Sequence, residues 1–514
     1  MKFLLLSLCI CLPMFIVAQS KFSMPLELQH YSKIASIRVY DSTYYLTALS
    51  EPTGSSGFGG ILKFANISTE GEIIWEEDYS NGIYMGPPQE WGNQGLYKHS
   101  ETEVYLAGNH LEQENGYSDG FLMKTNIQGD SIWMKTYGSP FSDLIGGVES
   151  LNDSTLLIYG NYNKFSSEPS QIWAFAVDLE GNVLWERFYA GEYGFVTQRD
   201  IAVLENGNIV ILYNECLSYG SCGSGVDKRL RLLCIDAEGN ELWTTTLAEY
   251  YLQGALSSNV IELDNGQFLV SFFREIGQGI RRPPILLWVS PNGEVLQQYS
   301  FDEYISLSNY ITDLFLTESG NIIGLGVLDT SIEGEFYGGV GWVFSMTQSG
   351  ELNWERMFLD NSGNFHIGVL HCGLETDEGG LVFGGYLEDS ISFKHTAWLL
   401  KLDSAGCYHP NCEEGLQFVD VEEIAAPTSS VSAYRAYPNP ISKGAVLQLE
   451  ALVDTPQAAR AQWLDAYGRQ LAEHALDPLP LQNIPVGDWP PGVYFLRLME
   501  ESGRALQVLR VLVE

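Results

Sequence analysis

Ala176-Val177-Asp178-Leu179-Glu180-Gly181-Asn182-Val183-Leu184-Trp185 is the stretch on which the fold turns. An apolar run ends at Asp178, a short acidic turn closes on Gly181, and apolar residues resume toward Trp185. This pattern predicts two strands joined by a tight turn, with Gly taking the positive φ the turn requires. The same Gly-x-x-x-Trp spacing recurs at Gly71 and Trp75, Gly129 and Trp133, Gly239 and Trp243, and Gly350 and Trp354. Gly293 keeps the turn but has Gln297 in place of the tryptophan, and Gly406 follows Leu402-Asp403-Ser404-Ala405 in the same context. Successive glycines lie 58, 52, 58, 54, 57 and 56 residues apart, a period that marks a repeat architecture.

Around each of these turns the sequence predicts four strands. A second turn signal precedes a β-rich run in several units: Asn206-Gly207 before 208–213, Asn265-Gly266 before 267–273, Ser319-Gly320 before 321–327, and Glu378-Gly379 before 381–386. A variable loop then leads to a third strand, such as 173–178 or 230–236, and the Gly turn leads to the Trp strand. Four antiparallel strands repeated seven times predict a seven-bladed β-propeller, whereas stacked sandwiches give no reason for a fixed period. Trp75, Trp133, Trp185, Trp243 and Trp354, one per unit, are expected to pack between blades rather than to meet a ligand. The seventh unit lacks a Trp strand after Gly406. Residues 22–31 read as the strand that replaces it and removes the open edge.

The chain has 514 residues and a formal charge of −38, which argues against a nucleic-acid partner, since a phosphate backbone demands a clustered basic surface. Hydrophobic residues at 45% are ample for a packed core despite that charge. Lys2, the apolar run 3–17 and Ala18-Gln19-Ser20 read as a secretory signal peptide cleaved after Ala18. That run is shorter than the ~20 residues that span a bilayer, and no later segment qualifies, so no transmembrane segment is expected after cleavage. Cleavage leaves six cysteines, and in an exported chain the close pairs Cys216 with Cys222 and Cys407 with Cys412 read as disulfides.

The Trp strands resemble blades of the pyrroloquinoline-quinone type, within the broader WD40-like seven-bladed propellers. The resemblance covers the packing signature across residues 40–410 and implies a fold without its chemistry. There is no adjacent Cys-Cys pair and no identifiable cofactor or calcium set, so no cofactor is expected.

Composition changes after a linker, 413–434. Residues 435–514 hold seven basic and nine acidic residues, net −2, so −36 of the charge lies upstream. This tail carries Tyr437-Pro438-Asn439-Pro440, then Asp465 leading to Gly468-Arg469, then Gly492-Val493-Tyr494, and a final strand at 506–513. Those landmarks, in that order, resemble the C-terminal sorting domain of the bacterial type IX secretion system. The resemblance implies a small Ig-like β-sandwich, recognition by the type IX machinery after Sec export, and removal by a surface sortase that can link the cargo to lipopolysaccharide. The chain divides accordingly into a signal peptide (1–18), a propeller (19–412), a linker and a sorting domain (435–514), with a secreted or outer-surface destination.

The search for chemistry yields no catalytic residue and no metal site. None of the eight histidines has His-Glu-x-x-His spacing, and no nucleophile elbow, phosphate loop or EF-hand occurs. His366 and His371, near Cys372, read as packed or solvated. In a four-strand meander, the two-to-three loops and the blade-to-blade connections emerge on one face. They are the longer set: 51–60, 109–120, 161–170, 215–228, 274–284, 328–339 and, between blades, 81–95. These loops hold Trp91, Tyr117, Tyr219 and Phe336, suited to stacking or hydrogen bonding. The expected function is a surface binding or adhesion module that takes a glycan or protein on this face. The alternatives are a propeller enzyme (hydrolase, lyase or quinone-type oxidoreductase) with acids around the central channel, or a structural surface component.

Overall fold

The computed structural model describes residues 21–26, 31–40, 43–51, 60–79, 85–86, 95–111, 117–163, 170–189, 196–216, 226–252, 258–273, 283–301, 309–332, 335–360, 365–389, 392–409, 412, 415–419, 434–452, 458–464, 470–477, 479–499 and 505–513. The expected signal peptide lies outside these residues, as do Trp91, Tyr219, Cys222, Asp465, Gly468 and Arg469. All regular structure among them is β-strand. No helix is long and apolar enough to cross a membrane among the described residues.

Four-stranded antiparallel meanders fill residues 31–79, 144–189, 196–252 and 259–300, here called sheets 1, 3, 4 and 5. Sheet 2 (85–137) and sheet 6 (310–360) follow the same path with a fifth strand each. Sheet 7 takes three strands from 365–402 and its fourth, Phe22–Leu26, from the start of the chain. The run 22–31, expected as one strand, is thus divided: Phe22–Leu26 closes sheet 7, and Tyr31 opens sheet 1.

The first strand of each sheet lies beside the first strand of the next, and that of sheet 7 returns to that of sheet 1. Each neighbouring pair of sheets buries a shared apolar core. Met24, Leu26, Val382 and Leu399 of sheet 7, for example, pack on Ile34, Ile37, Tyr44 and Leu46 of sheet 1. Apolar burial between flat faces, at roughly 25 cal/mol per Å², is the dominant cohesion of such a ring. The closed circle of meanders is a β-propeller arrangement.

The repeated tryptophan explains the spacing of the turns. Gly239 has φ +79°, and a Cβ placed on it would lie 2.8 Å from Cζ3 of Trp185 in the preceding sheet. Trp75 stands in the same relation to Gly129, Trp133 to Gly181, Trp243 to Gly293 and Trp354 to Gly406. Each Trp strand therefore lays its ring over the next sheet's glycine, where no side chain fits. Gln297 occupies the tryptophan register opposite Trp288, and the two share the slot over Gly350. Trp288 Nε1 donates to Gln348 O at 2.7 Å and Gln297 Nε2 to Ser349 O at 3.2 Å. At the ring closure, Phe22 pairs with Lys401, the register position that Trp75 holds opposite Asn66.

Two parts of the chain depart from the sequence expectation. In segment 328–339, expected as a loop, the residues up to Ile332 and from Glu335 onward are strand, Asn321–Ile332 pairing with Glu335–Thr347. Thr330, Ile332, Phe336 and Tyr337, β-branched or aromatic, favour the extended conformation. Within the expected linker, Gly415–Val419 forms a parallel strand on the outer edge of sheet 6, covering that edge. The Cys407–Cys412 disulfide precedes it.

The C-terminal residues form a three-stranded and a four-stranded sheet that share one core around Trp463, Leu447, Leu496 and Val511. On the opposite face of the four-stranded sheet, Leu464 and Phe495 are buried in the cluster formed by sheets 1 and 2, and Arg497 pairs with Glu72.

Candidate functional site

The first strands bring polar side chains to the axis of the ring. Several of these strands carry a bulge, at Ile34/Ser36, Gln198/Asp200, Ile311/Asp313 and Leu370/Cys372, which re-aims the side chains around it. The residue after the bulge reaches the next sheet. Ser36 Oγ accepts from Gly95 N at 3.1 Å, Asp200 Oδ2 from Val260 N at 2.7 Å, and Asp313 Oδ2 from Gly373 N at 3.1 Å. Asn259 Nδ2 donates to Thr312 O at 2.8 Å and Thr312 Oγ1 to Leu370 O at 2.6 Å. These groups stitch neighbouring sheets together.

The other oxygens of Asp200 and Asp313 accept from Ile201 N and Leu314 N, both at 2.9 Å, so these two carboxyls are engaged within the scaffold. Burial, reinforced by the charge of Asp200 and outweighing the Gly373 N–H, pushes Asp313 up to about 8. On the first strands of sheets 1 and 3, Arg38 and Glu149 meet at 4.0 Å, with 27% and 31% of their side chains accessible. Burial raises Glu149, partly offset by Arg38.

A second cluster lies between sheets 7 and 1, toward the face where the two-to-three loops emerge. Tyr386 and Glu388 stand two apart near the end of Leu381–Asp389, and His395 opens His395–Leu402 opposite Glu388. His395 Nε2 lies 2.8 Å from Glu388 Oε2, and its ring is 4.3 Å from that of Tyr386. Also near Tyr386 are the His371 ring at 5.3 Å and Lys33 Nζ, 5.0 Å from the ring centroid. His371 is buried, and its Nδ1 lies 3.2 Å from Ile34 O. Burial and the Lys33 charge push His371 down to about 3, so it is neutral at pH 7 and its Nδ1–H donates to that carbonyl. The cluster thus joins a half-exposed tyrosine, a histidine–carboxylate pair and a lysine, a set able to stack on, hydrogen-bond to and exchange protons with a polar ligand.

Sequence reading did not select these five residues. Tyr386 and Glu388 show the two-residue alternation of one strand face, and Glu388 and His395 flank a hairpin. Nothing in the sequence, however, signals that Lys33 returns to them from the far end of the chain. Of the aromatics singled out on the loop face, Tyr117 packs edge-on against Phe141, with ring centroids 5.6 Å apart. Phe336 belongs to the strand Glu335–Thr347. Tyr117, just before the sheet 2 strand Ser118–Asn126, lies apart from the Tyr386 cluster of sheets 7 and 1. Cys216 is disulfide-bonded. No group of three or more His, Cys, Asp or Glu able to hold a metal ion occurs among the described residues.

The C-terminal landmarks are far apart in sequence and close in space. Asn439 Oδ1 accepts from Leu512 N, and Ile441 N donates to Leu512 O, both at 2.8 Å. Gly492 opens the strand Gly492–Met499, in which Val493 pairs with Leu512. Tyr494 stacks on Trp489 at 5.1 Å and donates to Pro490 O at 2.8 Å. Trp489 in turn meets Trp463 edge-on at 5.3 Å. Tyr437, Pro438, Asn439 and Pro440 form a partly exposed entry beside the last strand, with Arg435 over the Tyr437 ring at 5.4 Å.

No protein-family model matches the chain, and no curated protein matches it. Among solved structures, a protein of unknown function from Bacteroides caccae is 14% identical, with a TM-score of 0.36 over 60% of this chain and 92% of its own. PorZ of Porphyromonas gingivalis, an essential bacterial surface component of the type-IX secretion system, is 11% identical, with a TM-score of 0.31 over 94% of this chain and 70% of its own. The β-propeller domain of the Trilobed protease from Pyrococcus furiosus is 9% identical, with a TM-score of 0.37 over 73% and 95%. At these values the architecture rests on the chain's own sheets.

Proposed function

We propose that this chain is a secreted or cell-surface binding protein, a seven-bladed β-propeller carrying a C-terminal β-sandwich that acts as a type IX sorting signal after Sec export. The observation that carries the delivery reading is the closure of the C-terminal module by its own landmarks: the Asn439 side chain holds the backbone of Leu512. The type IX machinery and a surface sortase are its partners in this reading. Fusing residues 413–514 to a periplasmic reporter sends the reporter to the surface in a host with that machinery, and Asn439→Ala reduces the surface fraction. Retention of the fusion in the periplasm counts against the reading.

The propeller binds a glycan or protein on the long-loop face. The Tyr386 cluster supports this, because it gathers a partly exposed tyrosine with charged and hydrogen-bonding groups of two adjoining sheets. Screening residues 19–514 against glycan and protein arrays identifies a ligand whose retention drops with Tyr386→Ala. Absence of any ligand favours a structural surface component.

A second reading, an extracellular hydrolase or lyase, is favoured by the 2.8 Å pairing of His395 with Glu388 beside Tyr386. In it His395 exchanges the proton and Glu388 orients the imidazole. Turnover of the retained ligand, lost in Glu388→Gln while binding persists, selects this reading over simple binding.

A further inference from the structure

The outer strands of sheets 1 to 6 begin with the same irregularity. The residue before the tryptophan position has no cross-strand partner, because the register slips there: Ile74 in sheet 1, then Ile132, Leu184, Leu242, Leu296 and, in sheet 6, Asn353. A bulge residue on an outer strand is left out of the ladder, and no further strand of its sheet lies beyond to cover it. Ile132, Leu184, Leu242 and Leu296 are accordingly 56%, 56%, 49% and 52% exposed, and Asn353 is exposed too. Ile74, in the same place of the same repeat, is 2% exposed. Its cover therefore comes from outside the repeat.

That cover is the C-terminal module. Ile74 and Trp75 belong to one buried cluster with Leu464 and Phe495, each of which is 1% exposed. Leu464 and Phe495 are opposite each other on Arg460–Leu464 and Gly492–Met499, while the next pair, Trp463 and Leu496, turns to the module's own core. The following pair on the outward face is Gln462 and Arg497; Gln462 is buried, and Arg497 pairs with Glu72 in the three-to-four turn of sheet 1. Ile127, at the corresponding turn of sheet 2, is buried in the same cluster, whereas its repeat equivalent Leu179 of sheet 3 is only partly buried. An apolar pair flanked by an arginine thus meets an aliphatic bulge flanked by a carboxylate.

We infer that the start of the outer strand of sheet 1 is a docking surface for the C-terminal module, and that this contact holds the module to the propeller after the chain between them is cut. Apolar burial supplies the attraction, and the pairing of Arg497 with Glu72 fixes the register of one sheet on the other. Ile74 follows the three-to-four turn, at the end of sheet 1 opposite segment 51–60, so the docking surface lies away from the long-loop face. In the type IX reading, cutting the linker does not by itself shed the module; the docked contact must open as well.

The test uses residues 19–514 with the recognition site of a sequence-specific protease inserted between 420 and 433, cut after purification and followed by gel filtration on dilution. The two fragments are expected to co-elute. Ile74→Asn weakens their association by roughly tenfold or more, the loss that follows when a buried aliphatic contact is removed. The blade itself accommodates this change, since sheet 6 carries Asn353 at that place. Ile132→Asn, the same substitution at the exposed position of sheet 2, leaves the association unchanged. Leu464→Asn weakens it from the module's side and carries the test should Ile74→Asn not fold. The inference is overturned by parent fragments that separate on cutting, by an Ile74→Asn protein with the parent's circular dichroism whose fragments associate as tightly as the parent's, or by an equal loss in Ile132→Asn. Each of these leaves the sorting reading standing, because the reporter fused to 413–514 lacks the propeller and tests that reading separately.

Discussion

Closure of the ring by the N-terminal strand makes a quantitative prediction. Met24 and Leu26 alternate onto one face of Phe22–Leu26 and are 3% and 2% exposed, packed on Ile34, Ile37, Tyr44 and Leu46. Trp398 Nε1 donates to Ser23 Oγ at 3.0 Å, and Lys21 pairs with Asp403. Truncating a buried Met or Leu to Ala costs roughly 2–5 kcal/mol through lost transfer energy and the cavity left behind. The two side chains share one cavity, so the pair should cost less than the sum of the single changes, on the order of 5–8 kcal/mol. Unfolding entropy is about 2.1 cal/mol/K per residue, so a propeller of this length loses roughly 1 °C per kcal/mol. Met24→Ala with Leu26→Ala should therefore lower the calorimetric melting temperature by about 5–8 °C. The control is Ile132→Ala, at a side chain 56% exposed, expected to stay within about 1 °C. Deleting residues 20–31 should lower the melt further and open the seam between sheets 7 and 1 to protease. A double variant that melts with the parent would falsify the closure, because those side chains would then not be holding the last sheet to the first.

Other consequences can be measured on the same protein. Gly207 and Gly239 both have positive φ, +83° and +79°, but only at Gly239 would a Cβ meet Trp185 and Arg187. Gly207→Ala should cost about 1 kcal/mol for backbone strain, and Gly239→Ala distinctly more, by urea denaturation; equal costs would remove the tryptophan slot from the account. Asp313, at about 8 when folded against an ordinary 3.8, holds a proton that the unfolded chain releases, so its contribution to stability declines as pH rises from about 4 to 8. His371, at about 3 against 6.5, lacks a proton that the unfolded chain binds, so its contribution declines as pH falls from 6.5 toward 3. The two slopes oppose each other between about pH 4 and 6.5. Between about 6.5 and 8 His371 no longer opposes Asp313, whose own contribution should fall by roughly 2 kcal/mol, a fall absent in Asp313→Asn. In the C-terminal module, Trp489→Ala removes the ring between Trp463 and Tyr494 and should cost about 2–4 kcal/mol, read as loss of tryptophan near-UV circular dichroism. An unchanged spectrum would mean the stack contributes nothing to the module's order.

The division between what was legible and what was not follows the range of the interactions. Gly181 and Trp185 are four residues apart, and their spacing is set by the geometry of one hairpin, so it repeats wherever the hairpin repeats. The partner of each tryptophan, by contrast, is a glycine about one repeat further on, and sequence alone does not show that the ring lies over it. The same limit hid the use of Trp288 beside Gln297. The sequence reads 328–339 as loop because Gly334, Gly338 and Gly339 outweigh Thr330, Ile332, Phe336 and Tyr337, while cross-strand pairing holds the chain as strand up to Ile332 and from Glu335.

By itself the sequence determined the strand-rich repeat near 56 residues, the missing last strand of the seventh unit and the change of composition at the tail. Each is encoded by local turn chemistry and side-chain alternation, which need no knowledge of the whole. Only the tertiary structure decided which polar groups meet. Lys33 reaches Tyr386, and Asn439 reaches Leu512, because a ring and a pair of sheets close on themselves. Closure sets contacts between residues hundreds of positions apart, and no local pattern specifies them.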